Sequence, residues 1–159
     1  MTFSDLNLNR FLLDALTEMG FETPTPIQEK SFSVIMSSRD MVGIAQTGTG
    51  KTYAYLLPIL RQLTYSEQKH PRVLIVVPTR ELCTQVTRDI EELASNRGIR
   101  TLAVYGGRAF EPQIEALHAG VEIVVGTPGR LLDLSRQGQL KLKEVSRLVL
   151  DEADEMLDL

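Results

Sequence analysis

The run Ala45-Gln46-Thr47-Gly48-Thr49-Gly50-Lys51-Thr52 combines turn-permitting glycines, a single cation and several hydroxyls. It lies between an apolar run and a helix-like stretch, which is the context a phosphate-binding P-loop requires. Gly48 and Gly50 let backbone N–H groups turn inward around phosphate oxygens. Lys51 supplies a point charge for β and γ phosphates, and Thr52 offers a hydroxyl to Mg²⁺. Ala45 stands where the general pattern has its first glycine. Far downstream, Leu148-Val149-Leu150 delivers Asp151-Glu152 at the end of an apolar run. Open α/β sheets bind ligands at such strand ends. Asp151 would hold Mg²⁺, and Glu152 would orient or deprotonate the water that attacks a γ-phosphate. The same acidic run could instead do no more than favour a helix N-terminus, but paired with a P-loop it reads as the second half of a nucleotide site.

Positioning these groups takes a scaffold, and the chain carries its signal. Short apolar runs rich in β-branched residues occur at Met41–Ala45, Val73–Val77, Thr101–Tyr105, Glu122–Val125 and Arg147–Leu150. Helical stretches at 51–64, 81–96, 111–118 and 128–136 follow the first four runs. Alternation of this kind predicts βαβ units, a parallel sheet with flanking helices and the α/β class. Two further helices are expected ahead of the first run, at 9–19 and 26–37, with Gly20 as a helix stop. Thr25-Pro26 followed by Gln28 has the form of an N-cap, a first-turn proline and a reciprocal capping-box partner.

Composition narrows the class further. At 159 residues, with 43% hydrophobic and 24% charged residues, the chain suits one soluble globular domain with a real core. No apolar run approaches the ~18–20 residues of a membrane helix, and the first residues lack signal-peptide character, so no membrane role and a cytoplasmic location are expected. The one cysteine, Cys83, can form neither an internal disulfide nor a zinc ribbon; it reads as a packed core residue. A net charge of −4 argues against a broad basic face. Any nucleic-acid contact must be local, which helix N-termini can supply without excess lysine and arginine.

Asp151-Glu152-Ala153-Asp154 resembles the signature of the DEAD-box RNA helicases, and other motifs of that family occur in order along essentially the whole chain. Gly20-Phe21 with Pro24-Thr25-Pro26-Ile27-Gln28 is similar to the family's Q motif, with Phe3 as its upstream aromatic. Pro78-Thr79-Arg80-Glu81-Leu82 with Gln85 resembles motif Ia, Gly106-Gly107 the paired glycines, and Thr127-Pro128-Gly129-Arg130 motif Ib. Cys83 departs from the alanine common in motif Ia.

The resemblance implies an ATP-dependent RNA helicase with ATP and Mg²⁺ as cofactors and RNA as partner. It implies catalytic roles for Lys51, Asp151 and Glu152, and metal contacts from Thr52 and Asp151. The nucleotide site would comprise Phe3, Phe21, Thr23, Gln28, Gln46, Thr47, Gly48, Thr49, Gly50, Lys51 and Thr52. Gln28 would select ATP, since a side-chain amide matches the N6/N7 edge of adenine and guanine presents the wrong pattern; capping its own helix is the competing role, and both could coexist. Pro78, Thr79, Arg80, Gly106, Gly107, Thr127, Pro128, Gly129 and Arg130 would hold the RNA backbone through N–H groups and two guanidinium groups.

Residues 1–38 are expected to form a helical Q-motif segment packed on the core, and 39–159 a RecA-like ATP-binding domain. That domain is expected to be truncated after the DEAD motif, with the second RecA-like domain lying outside this chain. A DNA helicase or translocase, and a nucleotide-gated RNA clamp without turnover, are the alternatives. Oligomeric state is left open by the sequence.

Overall fold

A computed structural model describes residues 1–46, 50–94 and 97–157. Its four strands are β1 (Val73–Val76), β2 (Thr101–Val104), β3 (Ile123–Gly126) and β4 (Arg147–Leu150), all parallel, in the order β2-β3-β1-β4. Parallel neighbours cannot be joined by a tight turn, so helices carry the chain back. These are α4 (Arg80–Leu93), α5 (Phe110–Ala119) and α6 (Pro128–Arg136); α7 (Ala153–Met156) follows β4. The expected α/β class and parallel sheet are thus present.

The first expected strand is not. Residues 41–46 take no regular structure, and Val42 and Ile44 are 89% and 91% exposed. A strand exists through its neighbour's hydrogen bonds, and among the described residues no strand pairs with this segment. Apolar, β-branched composition alone does not supply that partner.

The chain divides into two units, Met1–Tyr65 with Glu92–Ala94, and Ser66–Glu91 with Ser95–Leu159. In the first, a 3₁₀ turn over Phe3–Asp5 precedes α1 (Arg10–Glu18), α2 (Pro26–Met36) and α3 (Lys51–Gln62). Leu12, Ala15 and Leu16 bury one face of α1, and Gly20, at φ 81°, takes the left-handed turn past its end. Helices α2 and α3 run side by side in the same direction. Gln28 Nε2 donates to the Gly50 carbonyl at 3.2 Å, and Gln62 Nε2 to the Met36 carbonyl at 2.7 Å. Between them, Pro58 lacks the N–H that would bond the Ala54 carbonyl. The Ser31 hydroxyl donates to the Ile27 carbonyl of its own helix and packs 3.3 Å from the Ala54 carbonyl.

In the second unit, alternate strand residues face opposite sides. Leu74, Val104 and Val124 pack with Leu117, Val121, Leu131, Leu134 and Leu140 into one core cluster. Val73, Ile75, Ile123 and Val125 point the other way and are fully buried. There Cys83 Sγ donates to the Val125 carbonyl at 3.2 Å. Burial pushes the Cys83 thiol up to about 11, which makes it an inert packing group.

At the N-terminal edge of this sheet an ion pair ties the starts of β2 and β3 together. Glu122 precedes β3, and Arg100 precedes β2. Arg100 donates from its backbone N (2.5 Å) and from Nη2 (2.6 Å) to the Glu122 carboxylate. Burial alone would raise the Glu122 carboxyl, but the Arg100 hydrogen bonds, with the charges of Arg100 and Arg72, outweigh it and hold the group below its ordinary value. A depressed carboxyl stabilises the fold above the ordinary carboxylate range, and that stability is lost as pH falls through the folded value. Glu122→Gln should cost about 1–2 kcal/mol at neutral pH, discounted because Arg100 is half-exposed. Urea unfolding at pH 7 and at several pH values below 4.5 checks this: the two proteins should differ at pH 7, and the difference should shrink as pH falls. A difference equal at every pH would rule out the ion pair as its cause.

Candidate functional site

In the first unit Gln28, Gly50, Lys51 and Thr52 meet at the start of α3, and Phe21 touches Tyr53 in its first turn. Gly50 is its N-cap, at φ 84° and ψ 25°, a left-handed conformation that a side chain resists. Lys51 and Thr52 open the helix and are half-buried, and Gln46 is exposed. Thr47, Gly48 and Thr49 lie outside the described residues.

Gln28 is the best-defined member, only 6% exposed. Its Oε1 accepts from the Thr25 backbone N at 3.0 Å, and its own N donates to Thr25 Oγ1 at 3.4 Å. The capping box read from the sequence is therefore formed. Its Nε2 donates to the Gly50 carbonyl, which ties the cap of α2 to the residue that opens α3. A side-chain amide has two donors and two acceptor lone pairs. One of each is used here, and one of each remains.

Two aromatic rings are expected near this site, and they differ in exposure. Phe3 is 4% exposed and packed inside, with its backbone N donating to the Glu22 carbonyl. Phe21 is 48% exposed and meets the Tyr53 ring edge-on at 5.7 Å. Only Phe21 presents an aromatic surface; Thr23 beside it is also exposed.

The second unit collects the remaining residues by strand direction. In a parallel sheet every C-terminal strand end lies on one edge. That edge carries Pro78–Arg80 after β1, Tyr105–Arg108 after β2, Thr127–Arg130 after β3 and Asp151–Glu152 after β4. The Asp151 backbone N donates to the Val76 carbonyl at 3.0 Å, continuing the β1–β4 ladder, and the residue is 8% exposed. Glu152 is left-handed at φ 52° and ψ 50°, which for a residue with a Cβ costs about 1–2 kcal/mol. Thr79 caps α4, its Oγ1 accepting from the Leu82 N at 3.1 Å. Thr127 occupies the N-cap position of α6 with no side-chain capping bond, with Pro128 at the first helical position and its own N donating to the Val104 carbonyl.

Arg130 is placed differently from the solvent-facing guanidinium that the sequence suggests. It is 9% exposed, with Nη1 donating to Gln113 Oε1 at 3.0 Å and Nη2 to the Arg108 carbonyl at 2.9 Å. Its guanidinium carbon lies 4.0 Å from the Phe110 ring centroid. Gln113, 5% exposed, in turn donates to the Tyr105 carbonyl at 3.4 Å. The carbonyls on both sides of exposed Gly106-Gly107 are thus held by one buried network, and Gly107 turns between them at φ 81°. Sequence reading missed Tyr105, Arg108, Phe110 and Gln113. The available signal was Gln113 itself, a polar residue on the Phe110–Ile114–Leu117 stripe, where burial demands a partner.

A model of the DEAD/DEAH box helicase family matches residues 25–159. The chain is 48% identical to the ATP-dependent RNA helicase DeaD of Haemophilus influenzae over 158 residues, covering 99% of this chain and 26% of that protein. It is 48% identical to DeaD of Escherichia coli over 157 residues, covering 98% and 25%. The crystal structure of a DEAD box protein from the hyperthermophile Methanococcus jannaschii superposes with a TM-score of 0.93 at 43% identity, covering 99% of this chain and 43% of that one. The chain therefore spans about a quarter of the length of these curated relatives, and its fold is the RecA-like one implied by the resemblance. Among the described residues no helix is long and apolar enough to cross a membrane.

Two glycines test the local geometry. A Cβ at Gly50 would collide with the Gln28 amide in a left-handed backbone, whereas one at Gly106 would meet open space. Gly50→Ala should lose about 1–2 kcal/mol of stability, and Gly106→Ala should stay within about 0.5 kcal/mol. Urea titration of both variants measures this, and equal losses would contradict the assignment.

Proposed function

The chain belongs to the DEAD/DEAH box helicase family, and from that premise we propose that it forms the ATP-binding, RNA-contacting part of an ATP-dependent RNA helicase. Residues 1–38 act as the base-selecting segment and 39–159 as the ATP-binding domain. The observation that carries this reading is the Gln28 amide. It is fixed in direction by Thr25 and Gly50, and it retains one acceptor and one donor, the pair that adenine's N6/N7 edge requires. Phe21 offers the exposed ring nearest in sequence to this segment, and Thr23 a hydroxyl beside it.

Lys51 supports the β and γ phosphates as a point charge beside the backbone N–H groups of Gln46 and Gly50; Thr47, Gly48 and Thr49, the other expected phosphate-binding residues, lie outside the described residues. Thr52 in the first unit and Asp151 in the second are each an oxygen donor that Mg²⁺ would take, and that ion would supply positive charge to the phosphate oxygens. A hydroxyl in the first turn of α3 and a buried carboxylate at a strand end are the hard oxygen donors that ion takes. Glu152 orients the attacking water and accepts its proton. RNA lies along the C-terminal sheet edge, on the N–H groups around Thr79, Gly106-Gly107 and Thr127–Gly129 and on the charge of Arg80. Arg130 serves that edge through the loop it holds. In the whole protein a second RecA-like domain closes on the nucleotide and brings arginines to the γ-phosphate. Such groups are worth about 10³–10⁵ in rate, so this chain alone should turn ATP over very slowly. We place the protein in the cytoplasm, a compartment that suits the free thiol of Cys83.

Displacement of a fluorescent ADP by ATP and by GTP tests the reading. Gln28→Glu keeps an oxygen for the Thr25 cap and removes the amide donors. Wild type should favour ATP, with discrimination of about 1–3 kcal/mol from one bidentate pair. The variant should lose that preference and also melt below wild type, because its carboxylate faces the Gly50 carbonyl, so selectivity is read at a temperature where circular dichroism shows the variant folded. Equal displacement of wild-type ADP by both nucleotides would reduce Gln28 to a helix cap.

A further inference from the structure

Arg80 and Arg108, from the turns after β1 and β2, converge on one ring. Their guanidinium carbons lie 5.6 and 5.3 Å from the Tyr105 centroid, and both side chains are otherwise exposed. Two like charges gathered over one tyrosine repel each other, and neither takes part in an ion pair among the described residues. The ring offsets part of that repulsion through its negative face. Stacking on a ring leaves the planar N–H fork of a guanidinium able to donate to an anion. Arg108 is not left to wander, because its carbonyl is bound by Arg130 and the Tyr105 carbonyl by Gln113. The protein has therefore fixed the base of two charges and left their tips without anionic partners.

The geometry points to a phosphodiester subsite formed by Arg80 and Arg108 across Tyr105, with Arg130 as the positioning residue beneath it. This rests on the reading of the sheet edge as an RNA-backbone surface and sharpens it. Arg108 supplies the charge that sequence reasoning assigned to Arg130, and the ligand is a polynucleotide backbone. Planar guanidinium forks grip phosphodiester oxygens two at a time without reading a base. Arg130 cannot make that contact without giving up Gln113, the Arg108 carbonyl and the face of Phe110.

Fluorescence anisotropy of a labelled oligouridylate, titrated with the intact chain over a range of potassium chloride concentrations, tests this. Each phosphate contact on a single strand contributes about 0.7 to the slope of log affinity against log salt. Arg108→Gln should lower the slope by about 0.7 and weaken binding several-fold whatever the base sequence. Arg130→Gln should do much the same, and the double variant should lose little beyond Arg108→Gln alone. An unlabelled oligonucleotide should compete, and inorganic phosphate at equal phosphate concentration should not.

An unchanged slope in Arg108→Gln overturns the subsite while leaving the wider RNA reading intact, provided Arg80→Gln or Thr127→Ala still weakens binding. A further full loss of about 0.7 in the double variant makes Arg130 a phosphate contact in its own right and removes its positioning role. Equal competition by inorganic phosphate makes this a simple anion site. Wild-type chain that fails to bind RNA even at low salt overturns both readings at once. Circular dichroism melts of every variant separate loss of contact from loss of fold.

Discussion

Strand direction is the constraint on which the second unit depends. Because all four strands run the same way, every chain reversal needs a helix, and every strand-to-helix turn falls on the same edge. Four sequence segments that share no local similarity are thereby brought into one row. The short backbone hydrogen bonds at that edge, Thr127 N to the Val104 carbonyl and Asp151 N to the Val76 carbonyl, extend the ladders by one residue and fix where each turn begins. The opposite edge carries no such turns, and there the Arg100–Glu122 pair ties the starts of β2 and β3 together. One edge is stabilised by charges that satisfy each other, and the other gathers the strand-to-helix turns.

Buried polar groups do the positioning on both units. In the first, Gln28 caps α2 and reaches Gly50 with the same amide, so the direction of the side chain is settled by two backbone groups rather than by rotamer preference. In the second, Arg130 and Gln113 hold the carbonyls on both sides of a glycine pair. The logic is common to both. A buried amide or guanidinium must find partners, and where those partners are backbone carbonyls of a loop, satisfying the side chain also shapes the loop. Glu152 belongs to the same economy of strain: a left-handed glutamate is tolerated only where the surrounding ladder over-determines it.

The sequence was most legible where a pattern is local. Helix boundaries, the Thr25–Gln28 capping box, the Gly20 stop and the burial of Cys83 all follow from propensity and short-range spacing, and the structure has each of them. It was least legible where a feature depends on a distant partner. Met41–Ala45 has the composition of a strand, but pairing is a property of two segments, and none of the described residues pairs with it. Arg130 has the composition of a phosphate ligand, but its destination was decided by Gln113 and Phe110 across the α5–α6 pair. Phe3 and Phe21 read alike as aromatics of one motif; packing buried the first and left the second exposed. Residue type tells what a group can do, and only the tertiary neighbours decide whether it faces solvent.

Sheet order adds something the linear order hides. Along the chain, the turn after β1 comes first and the acidic pair last. In space the order is β2-β3-β1-β4, so the turns bearing Arg108, Thr127–Gly129 and Arg80 are contiguous and Asp151-Glu152 stand at their flank. At about 4.8 Å between strands, three adjacent turns span roughly 10 Å. That stretch of edge has cations and helix N-termini without an intervening carboxylate from the strand ends. Within a chain of net charge −4, acidic groups stand here too, Glu81 and Glu111 in the first turns of α4 and α5, while the strand-end carboxylates keep to the flank. The β1 ladder is what joins the two: β1 pairs with β3 on one side and β4 on the other, so a shift of the turn after β1 is felt by the basic track and the acidic pair alike.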